Sequence, residues 1–95
     1  MKTVWKCEIP LQVRGDQGEL GAFTLVLPQA YALSVGLQDG LPMMWLEVNS
    51  NTAPQPHDFF LAGTGKPVPD MPRRFVGTYQ MGWFVGHVYQ LGAWT

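Results

Sequence analysis

Residues 31–48 read YALSVGLQDGLPMMWLEV, two runs of strand-forming residues joined by Asp39-Gly40. An Asp-Gly pair favours a two-residue hairpin turn, because both central positions of that turn need a positive φ angle. The pattern therefore predicts a β-hairpin in which Gln38 and Leu41 flank the turn.

The position of this turn fixes the predicted register of the two strands. One face is expected to be wholly apolar, with three facing pairs: Val35–Met44, Leu33–Leu46 and Tyr31–Val48. The other face pairs Ala32 with Glu47, Ser34 with Trp45, and Gly36 with Met43. Ordinary cross-strand packing explains this second face, and a surface for an oligomer or a ligand is the alternative.

The flanking sequence continues the strand pattern in both directions. Strands are predicted at residues 3–11, 22–27 and 58–62, with a turn region at residues 14–21. In the first strand Trp5, Cys7 and Ile9 share one face, and Pro10 indicates that this strand ends there or lies at a sheet edge.

A second hairpin is predicted at residues 74–90, around Met81-Gly82. A two-residue turn at that point places three residues of one strand, Phe75, Gly77 and Tyr79, opposite Val88, Gly86 and Phe84. Methionine is unfavourable at positive φ, so a longer or bulged turn is the alternative.

Helical periodicity does not persist over any segment long enough for a helix. The chain is therefore predicted to be all-β, a single domain over residues 1–95. Six or seven short strands, built around two hairpins, would form a small antiparallel sandwich or a barrel-like sheet, with little or no helix.

The composition narrows the possible partners. The net charge of −1 gives no general attraction to nucleic-acid polymers or to anionic membranes. The charged fraction of 14% is low against about 25% in typical domains, which favours a surface buried in a homo-oligomer. Without a signal peptide pattern or a long apolar run, a cytoplasmic location is expected.

The residue inventory is poor in catalytic and metal-binding groups. One cysteine and two histidines cannot supply the four ligands of a structural zinc site, and no cofactor is indicated. Cys7, Ser34 or Ser50 with His57 or His87 would be the nucleophile and base of a hydrolase, but none lies in a recognised motif. The protein is therefore expected not to be an enzyme.

Residues 63–70, GTGKPVPD, form the most distinctive loop of the sequence. Backbone N–H groups of Gly63, Thr64 and Gly65 could bind an anion, because such nests attract phosphate. The following Lys66 does not complete a P-loop, since Pro67 stands where that motif has Ser or Thr. The alternative is that the loop only connects two strands.

Other residues complete this candidate site for a nucleotide-like ligand. Positive charge would come from Arg73 and Arg74, whose alternative role is that of solvated residues at the start of a strand. A base would stack on Trp45, Tyr79 or Trp83. His87 is the remaining candidate, with a place in the sheet as its alternative role.

Several short motifs along the chain resemble a family of small uncharacterised proteins of phages and prophages, known only as a domain of unknown function. These motifs are Val4-Trp5-Lys6, Leu33-Ser34-Val35, Gln38-x-Gly40-x-Pro42, Trp45, Gly63-Thr64-Gly65-x-Pro67-x-Pro69, Phe75-Val76-Gly77-Thr78, Gln80 and His87-Val88-Tyr89. Lys66 departs from the family, which often has histidine there, and the chain continues beyond the last motif. The resemblance implies a viral accessory protein and no particular activity.

These observations lead to one expected function and several alternatives. The protein is expected to be a non-enzymatic phage accessory protein that acts in the host cytoplasm and antagonises a host function. In its most specific form, this hypothesis names host immunity as that function. The protein would act as an oligomeric sponge for a nucleotide-like signalling molecule. The alternatives are an inhibitor of a host protein complex anchored by Trp45 and Trp83, a structural or assembly protein of the virion, and an unrecognised hydrolase.

Overall fold

The structure, a computed structural model, describes residues 1–10 and 21–92. Within these ranges the chain forms strands and no helix, as the sequence predicts. The strands are β1 (Lys2–Glu8), β2 (Ala22–Leu27), β3 (Gln29–Gln38), β4 (Leu41–Asn49), β5 (Gln55–Gly63), β6 (Arg73–Met81) and β7 (Phe84–Leu91). Most of the predicted turn region at 14–21, together with Leu11 and Trp94, lies outside the described residues.

The seven antiparallel strands form two sheets that pack as a sandwich. The three-stranded sheet has the order β1-β4-β3, and the four-stranded sheet has the order β2-β5-β7-β6. Strand β1 ends at Glu8 and lies at a sheet edge, which agrees with the position of Pro10. A bend at Pro28 carries the chain from β2 in one sheet directly into β3 in the other.

The β3–β4 hairpin confirms the predicted turn and half of the predicted register. Asp39 and Gly40 have φ angles of 53° and 77°, as a type I′ turn requires. Pairing follows the prediction from the turn to Ser34, which lies opposite Trp45.

Beyond Ser34 the predicted register is wrong by one residue. A β-bulge between Ala32 and Ser34 places Ala32 opposite Leu46, and Ala30 opposite Val48. An extra residue in one strand reverses the faces of every residue that follows it. The two alanines are therefore buried, whereas Tyr31 and Leu33 are both 45% exposed.

The β6–β7 hairpin has its turn one residue later than predicted. Gly82 and Trp83 occupy the turn, and Gly82 takes a φ of 61°, the positive value that methionine would disfavour. Met81 therefore pairs with Phe84, and Tyr79 pairs with Gly86. A second bulge, between Phe75 and Gly77, changes the register again, so the predicted pairing of this hairpin is wrong throughout.

The core lies between the inner faces of the two sheets. Fully buried side chains come from both of them: Ile9, Met44, Leu46 and Val48 from one side, and Phe59, Leu61 and Val88 from the other. Phe23 and Phe59 stack with their ring centroids 5.3 Å apart. Alternating inward residues on antiparallel strands account for this core.

A buried polar side chain of β7 joins the four-stranded sheet to β3. Gln90 is 1% exposed, and its Oε1 accepts hydrogen bonds from Ala32 N–H at 2.9 Å and Arg74 Nη2 at 3.0 Å. Its Nε2 donates to the carbonyl oxygen of Ala30 at 3.3 Å. The amide thus takes the place of a neighbouring strand along part of β3, and its two bonds to the β3 backbone are buried.

Candidate functional site

Residues 64–72, the crossing loop, connect two strands that run in the same direction. Strands β5 and β6 are both antiparallel to β7, which lies between them. The loop must therefore pass over β7 from one end of the sheet to the other. Its contacts with His87 and its position beside Asp58 place it on the outer face of the four-stranded sheet.

The crossing loop begins with a tight turn. Lys66 N–H donates to the carbonyl oxygen of Gly63 at 3.0 Å, and Gly65 has a φ of 84°. This conformation is that of a type II turn, which requires glycine or asparagine at its third position. The turn places Thr64 beside His87 of β7 and leaves the side chain of Lys66 exposed.

The best-defined polar cluster on this face consists of Thr64, His87 and Thr78. Thr64 Oγ1 lies 2.7 Å from Nε2 of His87, and Thr78 Oγ1 lies 2.9 Å from Nδ1 of the same ring. The pairing of Thr78 with His87 across β6 and β7 explains the second contact. Both hydroxyl groups are exposed, so the Thr64–His87–Thr78 cluster presents hydrogen-bonding groups to the solvent.

Aromatic rings and a guanidinium lie on the same face, further along β6 and β7. Phe75 and Tyr89 face each other with centroids 5.5 Å apart, and Phe75 is 53% exposed. The guanidinium of Arg73 lies 5.8 Å from the centroid of the Tyr89 ring and donates to the carbonyl oxygen of Pro69 at 3.0 Å. The face therefore combines a polar end with an aromatic and cationic end.

A shallow depression adjoins this cationic end. It has a volume of about 500 Å³ and is lined by Ala22, Asp58, Met71, Pro72, Leu91 and Gly92. Leu91 pairs with Arg73, so the depression continues the same outer face. Its walls are mostly apolar, with the carboxylate of Asp58 held by the hydroxyl of Thr24 at 2.7 Å.

The structure brings some of the predicted site residues together and separates others. Gly63, Thr64, Gly65 and Lys66 belong to one turn, next to His87, and Arg73 lies on the same face near Tyr89. The remaining predicted residues lie elsewhere: Trp45 on the outer face of the three-stranded sheet, Trp83 in the β6–β7 turn, and Arg74 and Tyr79 toward the interior.

The positions of Arg74 and Tyr79 exclude the roles predicted for them. Tyr79 is 3% exposed and packs edge-on against Phe84, so its ring cannot stack on a ligand. Arg74 reaches the carbonyl oxygen of Ala32 and the Gln90 amide, and its guanidinium lies 3.8 Å from the Tyr31 ring centroid. Arg74 is therefore half-buried between the sheets and does not belong to the outer face.

Three residues of this face were missed by sequence reasoning: Thr78, Phe75 and Tyr89. A turn placed at Gly82-Trp83 would have put Thr78 opposite His87, so that signal was available. The alternation along β7 would also have placed Tyr89 beside His87. Phe75 could not be placed in the same way, because its register depends on the bulge before Gly77.

The other reactive side chains of the described residues do not form a second site. Burial raises the pKa of the half-buried Cys7 thiol, which lowers its thiolate fraction and its reactivity. His57 contacts the carbonyl oxygen of Pro28 at 2.9 Å through Nε2. Residues 1–10 and 21–92 contain no group of three potential metal ligands, and no helix there could span a bilayer.

Comparison with known proteins supplies a family and no activity. No curated protein and no solved structure matches the chain. A domain of unknown function, DUF7352, matches residues 1–93. The expected resemblance to a family of unknown function is confirmed to this extent, and the chain belongs to the DUF7352 family.

Proposed function

We propose that this protein binds a small, nucleotide-like anion on the outer face of the four-stranded sheet and does not transform it. The Thr64–His87–Thr78 cluster is the observation that carries the proposal. It offers two exposed hydroxyl groups on either side of an imidazole, and such donors suit the oxygens of a phosphate.

The spacing along β7 supports a nucleotide rather than a bare anion. His87 and Tyr89 point to the same side of the strand and are separated by about 7 Å, two residues of strand rise. A phosphate at His87 would leave a base near Tyr89 and Phe75, where aromatic stacking stabilises it. Arg73 lies beside the same ring and adds positive charge.

The Thr64–His87–Thr78 cluster can also be compared with a catalytic triad, which consists of a nucleophile, a base and a group that orients the base. In that comparison Thr64 would be the nucleophile and His87 the base. Thr78, however, contacts Nδ1 through a neutral hydroxyl, which gives an imidazolium none of the charge stabilisation that a carboxylate provides. Binding without turnover is therefore the function that this geometry supports best.

A panel of cyclic and linear nucleotides, screened by melting temperature, tests the proposal. We expect at least one nucleotide at millimolar concentration to raise the melting temperature by several degrees, because a ligand that binds only the native state stabilises it. Thr64→Val, which removes a hydroxyl without changing the shape of the side chain, should reduce the shift.

Thr24→Val is the matched control, since Thr24 is also an exposed threonine with a hydrogen-bonded hydroxyl on this sheet. Its nucleotide response should equal that of the wild type. Absence of a shift with every nucleotide would contradict the proposal. Chromatographic detection of a hydrolysed nucleotide would also contradict it, because the protein would then be an enzyme.

We further propose a biological role for this binding. The phage resemblance of the sequence motifs supports an accessory protein that acts in the host cytoplasm and removes a nucleotide signal of host immunity from solution. An alternative is the inhibition of a host protein, supported by the 80% exposure of Trp83 at a turn, because tryptophan is enriched in binding hot spots.

A homo-oligomer is part of this proposal, and the outer face of the three-stranded sheet supports it. Val4, Leu41 and Trp45 share that face, and Val4 is 56% exposed. We expect light scattering to give a mass above that of one chain, and Val4→Glu to reduce it. Val26→Glu, the same change at an exposed valine of the other sheet, should leave the mass unchanged. A monomer at every concentration would contradict the oligomer.

A further inference from the structure

The hydrogen bonds of His87 determine how many donors this cluster can offer to a ligand. Each ring nitrogen contacts a threonine hydroxyl, Nε2 at Thr64 and Nδ1 at Thr78. A neutral imidazole has one N–H group and one bare nitrogen. One hydroxyl must therefore donate its proton to the ring, and only the other hydroxyl keeps its proton for the solvent.

Protonation of the ring changes this count. An imidazolium donates from both nitrogens, so both threonine oxygens become acceptors from the ring. Each hydroxyl proton then points away from the ring and can donate to an outside group. The protonated cluster thus offers two O–H donors and one positive charge, where the neutral cluster offers one donor and no charge.

The residues opposite His87 on the neighbouring strands are uncharged, so an incoming anion would supply the negative charge that favours protonation of the ring. Ala62 lies opposite His87 on β5, and Thr78 lies opposite it on β6, so neither neighbouring strand places a charge there. The charged groups on this face are Lys66, which follows Thr64 in the turn beside His87, and Asp58, Asp70 and Arg73 on the strands and the loop. Tyr89 is the next outward residue of β7.

We propose that the Thr64–His87–Thr78 cluster is a proton-coupled site for the phosphate group of a nucleotide. This inference rests on the proposed function and specifies its chemistry: one proton joins the imidazole when the anion binds, and the two hydroxyl groups each donate to a phosphate oxygen. Affinity should therefore rise as the pH falls, because each bound anion takes up one proton.

Isothermal titration with 3′,5′-cyclic AMP tests this coupling, because its phosphodiester keeps one negative charge over the relevant pH range. We expect binding to strengthen about tenfold between about pH 7.5 and 5.5. Two buffers of different ionisation enthalpy should give different binding heats near pH 7.5. The difference should correspond to nearly one proton taken up from the buffer per ligand bound.

Variants and comparison ligands separate the possible outcomes. Thr64→Val and Thr78→Val should each weaken binding about tenfold (roughly one hydrogen bond to a charged group) and reduce the dependence on pH, whereas Thr24→Val should behave as the wild type. Circular dichroism verifies that each variant is folded. Adenosine, which lacks the phosphate, should show no pH dependence.

Three results would overturn all or part of the inference. Nucleotide binding that is independent of pH and releases no buffer-dependent heat would remove the proton coupling and leave the proposed function intact. Failure of every nucleotide to bind at any pH would remove both. Sulfate that binds as tightly as cyclic AMP, with the same pH dependence, would support the anion site and overturn a nucleotide as its ligand.

Discussion

Replacing Gln90 with leucine is expected to lower the free energy of unfolding by about 3 kcal/mol. The leucine has a similar size but cannot pair with Ala32 N–H or with the carbonyl oxygen of Ala30, which the Gln90 amide now satisfies. Each buried polar group that loses its partner costs about 1–3 kcal/mol. Urea denaturation monitored by tryptophan fluorescence would measure the change, and the melting temperature should fall by roughly 10–20 °C.

Gln80→Leu is the matched control for this substitution. Gln80 lies in the same hairpin but is exposed, and its side-chain amide donates a long hydrogen bond of 3.4 Å to the carbonyl oxygen of Gly82. Its replacement should change stability by less than about 0.5 kcal/mol. Equal effects of the two substitutions would mean that the buried amide does not hold the sheets together.

Replacing Gly77 with valine is expected to destabilise the protein by about 3 kcal/mol or to prevent folding. A Cβ atom at this position would lie 2.9 Å from Cγ2 of Val35 and 3.3 Å from its backbone nitrogen. The backbone of β6 approaches β3 too closely for a side chain, and strand β3 cannot move without disturbing its pairing with β4. The yield of folded protein and its urea midpoint are the measurements.

Gly36→Ala shows whether the effect at Gly77 is steric. Gly36 also lies within a strand, and a Cβ atom there would be 3.7 Å from Cζ3 of Trp45, an ordinary contact. Alanine should be neutral or slightly stabilising, since glycine carries an entropic cost of about 0.5–1 kcal/mol within a strand. A Gly77→Val protein as stable as Gly36→Ala would show that the two strands can separate at no cost.

Local rules of the sequence predict the strands and one turn, but not the positions at which the strands are irregular. Asp39-Gly40 identifies its hairpin because this pair of residues tolerates the positive φ angles that the turn requires. The bulges near Leu33 and Val76 have no comparable residue signature. They are selected by contacts between sheets, such as the approach of Val35 to Gly77, and these contacts join distant parts of the sequence.

The candidate site shows the same limit at the level of single residues. The glycine-rich turn and His87 could be identified from residue type, whereas the aromatic partners could not. Phe75 and Tyr79 were predicted on one face, but the bulge before Gly77 leaves Phe75 exposed and Tyr79 buried. Gln90 gives no sign in the sequence that it is buried, since its role depends on the edge of a strand sixty residues earlier.

Strand β7 is the last of the described strands to leave the ribosome, although it lies inside the four-stranded sheet. Until residues 84–91 emerge, β5 and β6 have no common neighbour, and their unpaired backbone groups can adhere to other chains. A polypeptide terminated before residue 84 would keep those adhesive edges and would also lack His87. During translation, the pairing that covers these edges and the Thr64–His87–Thr78 cluster are therefore completed together.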